Sequence, residues 1–283
     1  MTQQTKKQTQ EQTIKVGVIG AGGRMGRMLI EAVQDNPQTT LSAAIERQGS
    51  SLVGADAGEV AAIGHLEVQI VDDLKAVIDD IDVLIDFSLP DATEQNMQVC
   101  AANDVAMVIG TTGFNEQQEQ VLKTASEQIA IVYAGNYSTG VNLSLKLLGM
   151  AAKAFGDDAD VEVIEAHHKH KIDAPSGTAY MMAEAVADAR GQRLKDVAVY
   201  GREGQTGERE AGSIGIHAIR GGEIIGDHTV MFIADGEVVE ITHRARARMT
   251  FAAGAVRAAT WVIEQGAGQY NMQDVLGLSL IHI

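Results

Sequence analysis

The sequence predicts an α/β fold with two domains: a doubly wound parallel sheet, then a second α+β domain with a mixed or antiparallel sheet. Three observations support this prediction. The 283 residues are enough for roughly two domains. A hydrophobic content of 45% with only 4% aromatic residues is typical of the Ala, Val, Ile and Leu cores of α/β layers. Short β-branched runs also alternate with helical patterns along the first half of the chain.

The first half of the chain alternates strand-like and helix-like segments. Each strand-like run stops at a glycine or polar break, and most are followed by apolar residues at helical spacing. Strands are predicted at 14–20, 40–45, 83–87, 105–109 and 129–133, and helices at 24–34, 74–78, 92–103 and 116–127. Such alternation produces parallel strands whose ligands lie beyond their carboxyl ends, which is where the glycine-rich breaks fall.

The pattern changes after residue 136. A long helix is predicted at 142–155, then a strand at 161–166 and a helix at 177–190. Strands are predicted at 197–200, 213–218, 228–233 and 238–242, before a final helix at 250–264. We therefore expect a disordered tail at 1–13, a first domain at 14–137 and a second, substrate-binding and oligomerisation domain at 138–248. Residues 249–283 are expected to pack back on the first domain.

Composition excludes several classes of function. A net charge of −16 repels a phosphate backbone and argues against nucleic-acid binding. No window is apolar enough to cross a membrane, and residues 1–13 lack the apolar segment of a signal peptide, so a cytoplasmic protein is expected. The single cysteine, Cys100, lies in a helical apolar pattern typical of a buried residue.

A glycine-rich turn joins the first predicted strand to the first predicted helix. Its residues are Gly20, Ala21, Gly22, Gly23, Arg24, Met25 and Gly26. Glycine lets backbone N–H groups and the positive end of a helix approach a pyrophosphate. Met25 breaks the G-x-G-x-x-G spacing, but Gly20, Gly23 and Gly26 satisfy G-x-x-G-x-x-G. With a strand before it and a helix after it, the turn indicates a Rossmann-type dinucleotide-binding domain at 14–137.

Other strand ends can complete a nucleotide site. Glu46 can accept hydrogen bonds from the adenosine ribose, which favours NAD, and Arg47 can pair with the extra phosphate of NADP. NADH and NADPH are therefore both candidate cofactors. The segments that can hold the nicotinamide end are Gly110-Thr111-Thr112-Gly113 and Ala134-Gly135-Asn136-Tyr137. The alternative is that these segments are ordinary turns and that Arg47 is solvated.

Histidines and lysines are concentrated in a short segment that leads into a helix start. The run His167-His168-Lys169-His170-Lys171 contains no acid, and Pro175-Ser176-Gly177-Thr178 follows it. Lys171 can stabilise developing negative charge while an imidazole delivers a proton near neutral pH. A spacing of four places His167 and Lys171 on one face of a strand or a helix. The helix start can bind a carboxylate, so the segment predicts a site for an anionic, dicarboxylate substrate.

Two alternatives remain for this basic segment. One is a solvated basic loop followed by a capping turn. The other is a zinc site, because His168 and His170 share a face of a strand. The interleaved lysines repel a cation, and the chain lacks an H-E-x-x-H motif. We therefore predict no metal.

Four motifs together resemble the dihydrodipicolinate reductase family, also called 4-hydroxy-tetrahydrodipicolinate reductases. They are EAHHKHKIDAPSGTA at 165–179, GAGGRMG at 20–26, IGTTGF at 109–114 and GREGQTGER at 201–209. The resemblance covers about residues 14 to 278, and the histidine motif is its most specific part. It implies a two-domain, usually homotetrameric enzyme of lysine and diaminopimelate biosynthesis. Such an enzyme reduces a small cyclic unsaturated dicarboxylate with NADH or NADPH.

The resemblance also implies a role for each site residue. His167 would be the proton donor and Lys171 the second catalytic group, with His168, Gly177 and Thr178 as substrate contacts. The cofactor contacts would be Gly20 to Met25 for the pyrophosphate, Glu46 and Arg47 for the adenosine end, and Gly110 to Thr112 with Ala134 to Tyr137 for the nicotinamide end. This chain departs from the family where Tyr137 stands in place of the common Phe and Gly135 in place of Ala. The added hydroxyl of Tyr137 can alter nicotinamide affinity.

Two other functions fit parts of the sequence. One is a dehydrogenase for another small acid that shares the nucleotide-binding domain. The other is a dinucleotide-sensing protein without turnover, for which the cluster of His and Lys residues would be superfluous.

Overall fold

The computed structural model describes residues 13–279 and divides them into two compact units. One unit comprises 13–133 with Ala255–Tyr270, and the other comprises Ala134–Gly254 with 271–279. The expected N-terminal tail, apart from residue 13, lies outside the described residues. The strands are β1 (Ile14–Ile19), β2 (Thr39–Ile45), β3 (Ile70–Val71), β4 (Val83–Asp86), β5 (Ala106–Ile109), β6 (Ala130–Tyr133), β7 (Asp160–His167), β8 (Ala198–Tyr200), β9 (Ile214–Arg220), β10 (Asp227–Ile233), β11 (Val238–Arg244) and β12 (Gly268–Tyr270).

The longer helices follow the sequence pattern, whereas three short helices were not predicted. The helices are α1 (Arg24–Asp35), α2 (Ala57–Ala61), α3 (Pro90–Ala101), α4 (Glu116–Ser126), α5 (Thr139–Phe155), α6 (Gly177–Ala189), α7 (Leu194–Val197), α8 (Met249–Val262) and α9 (Met272–Val275). The helix expected at 74–78 is instead two 3₁₀ turns, Leu74–Ala76 and Ile78–Asp80. α5 begins earlier than expected because the Ser138 hydroxyl accepts from the Val141 amide and caps the helix.

In the described part of the chain, the first unit contains a seven-stranded parallel sheet. Its order is β12-β6-β5-β4-β1-β2-β3, and every pair in it is parallel. β4 and β5 are buried at every position, as expected for strands covered by helices on both faces. α1 buries Leu29, Ile30 and Val33 at helical spacing. These findings confirm the predicted doubly wound sheet, while the short strands β3 and β12 were not predicted.

The second unit contains a five-stranded mixed sheet, again within the described residues. Its order is β11-β10-β7-β9-β8. β9 runs parallel to β7 and β8, whereas β10 is antiparallel to β7 and β11. Along β7 every second side chain is buried, including Val161 and Val163, which pack with residues of α5 and α6. The second part of the predicted fold class is thereby confirmed.

The C-terminal segment differs from the expectation that 249–283 packs on the first domain. Residues 255–270 group with the first unit, where β12 pairs with β6. Residues 271–279 group with the second unit, because α9 packs against α5 and the Gln273 side chain donates a 2.8 Å hydrogen bond to the Asn142 carbonyl. Residues 280–283 lie outside the described part of the chain.

Candidate active site

The glycine turn of the first unit requires glycine at two positions. Gly20 has φ +71°, in the left-handed region that favours glycine. A Cβ on Gly26 would lie 2.0 Å from the Gly20 carbonyl oxygen, so α1 can approach the turn only without a side chain there. Gly23 is the N-cap and has no side chain to bond the first-turn N–H groups of α1. The turn thus presents backbone N–H groups suited to an anion.

The acid at the end of β2 is held against this turn. Glu46 accepts a 2.9 Å hydrogen bond from the Gly22 amide and a 3.1 Å bond from the Arg47 amide. A Cβ on Gly22 would lie 2.2 Å from a methyl carbon of Leu52, so a side chain there would displace Leu52. Arg47 is exposed beside Glu46. The structure therefore brings Glu46, Arg47 and the glycine turn together, as the sequence predicted.

The ends of three neighbouring strands lie side by side at the same edge of the sheet. Ile19 pairs with Asp86, and Asp86 pairs with Ile109. The segment Gly110 to Thr112 follows β5, which is separated from β1 by β4 alone. A Cβ on Gly110 would lie 2.3 Å from the Phe87 ring, so glycine allows that ring to pack here.

Buried polar groups at this edge were missed by the sequence reasoning. Asp86 is fully buried, and its carboxylate accepts from the Ser88 amide and hydroxyl and from the Asn96 side chain. Thr111 is also buried and accepts a 2.8 Å bond from the Thr93 hydroxyl. The available signal was an acid at the end of a buried strand, since a buried carboxylate needs several donors. Asp86 orders the turn that follows β4.

Ala134 to Tyr137 belong to the second unit. The Asn136 amide donates a 3.0 Å hydrogen bond to the Thr178 hydroxyl, and its oxygen accepts from the Ser138 amide. The Tyr137 side chain is only 1% exposed. The residue is buried as a whole, and an effect of its hydroxyl on nicotinamide affinity stays a prediction.

His167 is the last residue of β7, where its imidazole is nearly buried. Its Nδ1 lies 2.7 Å from the carboxylate of Glu165, two residues earlier on the same face of the strand. Its ring meets that of His228 on β10 edge to face, with centroids 5.1 Å apart. The sequence predicted His167 but neither of these partners. An alternating strand places residues 165 and 167 side by side, which was a usable signal.

Lys171 lies in the turn after β7. Its amide donates to the His168 carbonyl, and its ammonium group donates a 2.8 Å hydrogen bond to Asp173. That bond and the lysine charge hold the pKa of Asp173 below its usual value. One part of the sequence argument was therefore wrong, because His167 and Lys171 do not lie on one face of a single strand or helix. The basic segment also pairs with two acids just outside it, Glu165 and Asp173.

The expected substrate contacts lie around the start of α6. Gly177 is exposed at the first position of the helix, and the Ser176 hydroxyl caps it by accepting from the Ala179 amide. His168 has a buried Nδ1 with no hydrogen-bond partner in the described part of the chain. Desolvation and the positive charge of Arg248 lower the pKa of His168, which favours its neutral form. This arrangement can bind an anion at the helix start.

The described residues include neither a metal-binding cluster nor a membrane-spanning helix. Residues 13–279 contain no group of three His, Cys, Asp or Glu side chains able to hold a metal ion. Within the same range, no helix has the length and hydropathy needed to cross a membrane.

Comparison with known proteins gives consistent matches over nearly the whole chain. The family model "Dihydrodipicolinate reductase, N-terminus" matches residues 14–137, and "Dihydrodipicolinate reductase, C-terminus" matches 140–276. The 4-hydroxy-tetrahydrodipicolinate reductase of Psychrobacter arcticus is 88% identical over 272 residues, which cover 96% of this chain and 98% of the relative. The enzyme of the same name from Acinetobacter baylyi is 59% identical over 269 residues, with 95% and 98% coverage.

Solved structures give the same result for the fold. A dipicolinate-bound dihydrodipicolinate reductase from Paenisporosarcina sp. TG-14 superposes with a TM-score of 0.75 at 26% identity, covering 93% of this chain and 99% of that one. An amine dehydrogenase from Mycobacterium smegmatis superposes with a TM-score of 0.59 at 13% identity, which shows a shared fold alone.

Proposed function

Since the chain belongs to the dihydrodipicolinate reductase family, we propose that His167 donates the proton and Lys171 is the second catalytic group of its reaction. The chain reduces 4-hydroxy-tetrahydrodipicolinate to tetrahydrodipicolinate with a reduced nicotinamide cofactor, a step of lysine and diaminopimelate biosynthesis. The resemblance inferred from the sequence is confirmed, and with it an enzyme rather than a dinucleotide sensor.

The first unit fits the nucleotide part of the cofactor. The left-handed Gly20, the close approach at Gly26 and the uncapped start of α1 form a cradle for a pyrophosphate. In our proposal Gly20 to Met25 bind that group, Glu46 and Arg47 bind the adenosine end, and Gly110 to Thr112 contact the nicotinamide end. The backbone of Ala134 to Tyr137 also contributes to the nicotinamide end. When bound, the cofactor supplies the hydride.

The second unit supplies the proton and holds the substrate. The observation that carries this proposal is the nearly buried His167 imidazole, 2.7 Å from a fully buried carboxylate at the end of β7. A histidine in this setting can deliver a proton to the ring atom that becomes electron-rich on reduction. Lys171 offers a positive charge to one carboxylate. Gly177 and Thr178 at the start of α6, together with His168, offer N–H, hydroxyl and imidazole groups to the other.

Loss of turnover with retained binding would test the role of His167. Reduced-nicotinamide absorbance is followed with NADH and NADPH in parallel, using substrate made in situ from pyruvate and aspartate semialdehyde. We expect His167→Gln to lower kcat by about 10² to 10⁴ with little change in KM, because general acid catalysis contributes that much. His170→Gln is the matched control, since it removes an exposed imidazole from the same segment. Unchanged kcat in His167→Gln would contradict the proposal.

Cofactor choice depends in our proposal on Glu46 and Arg47. A ribose-binding acid and an exposed arginine side by side suit both NADH and NADPH. We expect Arg47→Ala to raise KM for NADPH while leaving KM for NADH nearly unchanged. Equal effects on the two cofactors would rule out a role for Arg47 at the extra phosphate.

Three further expectations belong to the proposal. The first is a homotetramer, which light scattering would show as the mass of four chains. The second is a cytoplasmic location, where reduced nicotinamide is available to the enzyme. The third is the division into a dinucleotide-binding domain at 14–137 and a substrate-binding and oligomerisation domain at 138–248.

A further inference from the structure

Glu165 is a fully buried carboxylate whose two oxygens each accept two hydrogen bonds. Oε2 accepts from Nδ1 of His167 and from Nη1 of Arg220, both at 2.7 Å. Oε1 accepts from the Ser176 amide at 3.0 Å and from Nη2 of Arg220 at 2.7 Å. The bidentate arginine and the helix-start amide therefore hold the carboxylate in one orientation.

This set of donors determines which nitrogen of His167 carries a proton. Burial alone would raise the pKa of Glu165, but the hydrogen bonds from Arg220, His167 and Ser176 outweigh it and hold that pKa below its usual value. An ionised carboxylate can only accept hydrogen bonds. Nδ1 of His167 must therefore be protonated, which leaves Nε2 as the nitrogen that can exchange a proton with a ligand.

Gly226 lies beside Nε2 of His167, and its lack of a side chain leaves space next to that nitrogen. A Cβ on Gly226 would lie 3.0 Å from Nε2. Burial and the positive charge of His167 lower the pKa of the adjacent His228 to about 4, so His228 is neutral at pH 7. The titratable and charged groups around His167 include Glu165 on β7, Arg220 at the end of β9, His228 on β10 and the neighbouring His168. Lys171 and Asp173 are connected to this group through Arg220.

Arg220 bonds both the carboxylate of Glu165 and the loop that contains Asp173. While its guanidinium group holds Glu165, its Nη2 donates a 2.6 Å hydrogen bond to the carbonyl of Asp173. The Asp173 carboxylate in turn pairs with the ammonium group of Lys171. One arginine thus connects the carboxylate behind His167 with the loop that carries Lys171.

We propose that Glu165, locked by Arg220 and the Ser176 amide, is a positioning residue that keeps a proton on Nδ1 of His167 and directs Nε2 to the substrate. In the proton-transfer step the Nε2–H bond breaks, its electron pair stays on Nε2, and the proton bonds to the electron-rich ring atom. His167 is left neutral with Nδ1–H intact, and Glu165 stays ionised throughout. This inference rests on the proposed role of His167 as the proton donor.

Glu165→Gln is the test variant because an amide cannot satisfy these donors. Each oxygen of Glu165 accepts from two groups, so an NH₂ at either position faces only donors. When the NH₂ faces His167, Nδ1 must become an acceptor and the ring proton moves to Nε2. We expect kcat to fall by about 10²-fold with KM within about threefold, and the alkaline limb of the kcat profile to move to lower pH.

Glu162→Gln is a matched control on the same strand. Glu162 lies on the other face of β7, where it accepts hydrogen bonds from Arg202 and Arg209 and lies 2.7 Å from Nε2 of His217. Replacing it removes the same charge and the carboxylate partner of Arg202, while Arg209 keeps Asp160. We expect this variant to keep kcat within about twofold, so the comparison separates positioning of His167 from a general loss of stability.

The tautomer of His167 provides a readout independent of activity. ¹⁵N NMR of histidine-labelled protein without cofactor should show neutral His167 protonated on Nδ1 in the native chain and in Glu162→Gln, and on Nε2 in part of the Glu165→Gln molecules. Glu165→Asp keeps the charge, so it should keep the Nδ1–H tautomer and lose only about tenfold in kcat. It also serves as the test if Glu165→Gln does not fold, because native kcat in Glu165→Asp would then contradict the proposal.

The outcomes separate this inference from the proposed function. A normal tautomer and normal kcat in Glu165→Gln, with His167→Gln inactive, would overturn the role of Glu165 and leave His167 as the donor. Full activity in His167→Gln would overturn both. A changed tautomer and a reduced kcat in Glu165→Gln, with neither change in Glu162→Gln, would support the positioning role.

Discussion

Acid should weaken the second unit through the buried imidazole of His228. This side chain is 4% exposed on β10, and its Nε2 lies 3.0 Å from the hydroxyl of Ser176. That hydroxyl also accepts from the Ala179 amide, and it can donate its own proton to Nε2 of a neutral ring. Burial, followed by the positive charge of His167, lowers the pKa of His228 from 6.5 to about 4.

The magnitude follows from the difference between the folded and unfolded states. The unfolded chain binds a proton at His228 below its ordinary value of 6.5, whereas the folded chain does so only below about 4. The free energy of unfolding therefore falls as the pH drops through this window and is unaffected above it. The difference between 6.5 and about 4 is equivalent to about 3 kcal/mol, of which about 2 kcal/mol is lost between about pH 7.5 and pH 5.

Hydrogen exchange along β10 is the assay, because the only tryptophan, Trp261, lies in the other unit and does not report on this one. The opening free energy of 227–233 is measured from about pH 5 to pH 7.5, with intrinsic exchange rates corrected for pH. His228→Gln keeps a hydrogen-bonding atom near Nε2 but does not titrate, so we expect it to lose about 2 kcal/mol less than the native chain over this range. His170→Gln, which removes an exposed imidazole, should behave as the native chain does. The same pH dependence in His228→Gln and the native chain would refute this reasoning.

Two glycine substitutions test other parts of the structure. Gly26→Ala places a Cβ 2.0 Å from the Gly20 carbonyl oxygen, so we expect it to destabilise the first unit by about 1 to 3 kcal/mol and to weaken cofactor binding, measured by thermal unfolding and cofactor titration. Gly149→Ala in α5 meets nothing within 4 Å and should stabilise the chain by up to about 1 kcal/mol, and equal effects of the two changes would contradict the steric argument. Gly226→Ala places a Cβ 3.0 Å from Nε2 of His167 and should lower kcat/KM by about tenfold. A Gly226→Ala enzyme with native kcat/KM would show that ligands do not approach His167 from that side.

Local signals in the sequence predicted much of the first unit. The run at 14–19, the glycine break and the apolar spacing of 24–35 are all contained within about twenty residues, and they form β1, the turn and α1. The helix start at Gly177 was likewise predicted, because the capping serine precedes it directly. β12 could not be predicted in this way, because its three residues become a strand only by pairing with β6, more than a hundred residues earlier.

In the proposed active site, too, residues within one continuous motif were predicted, whereas residues brought in from distant segments were not. Histidine and lysine at 167 and 171 stand in one short motif, so residue type and order were enough to suggest a proton donor and a cation. Arg220 gave no comparable signal, since it is one of several arginines in the C-terminal half and lies 55 residues from Glu165. Register between β7 and β9 pairs His167 with Arg220 and so brings the guanidinium group to the carboxylate.

The sequence by itself determined the order of most strands and helices, the glycine turn and the family to which the chain belongs. These depend on side-chain periodicity, on positions that only glycine can occupy, and on a motif that is continuous along the chain. Tertiary structure alone decided which acid holds His167, which arginine holds that acid, and that Tyr137 is buried. Those features depend on contacts between segments far apart in sequence. Burial then gives the contacts their strength, because removing a carboxylate or an imidazole from water makes its few remaining partners decide its charge and orientation.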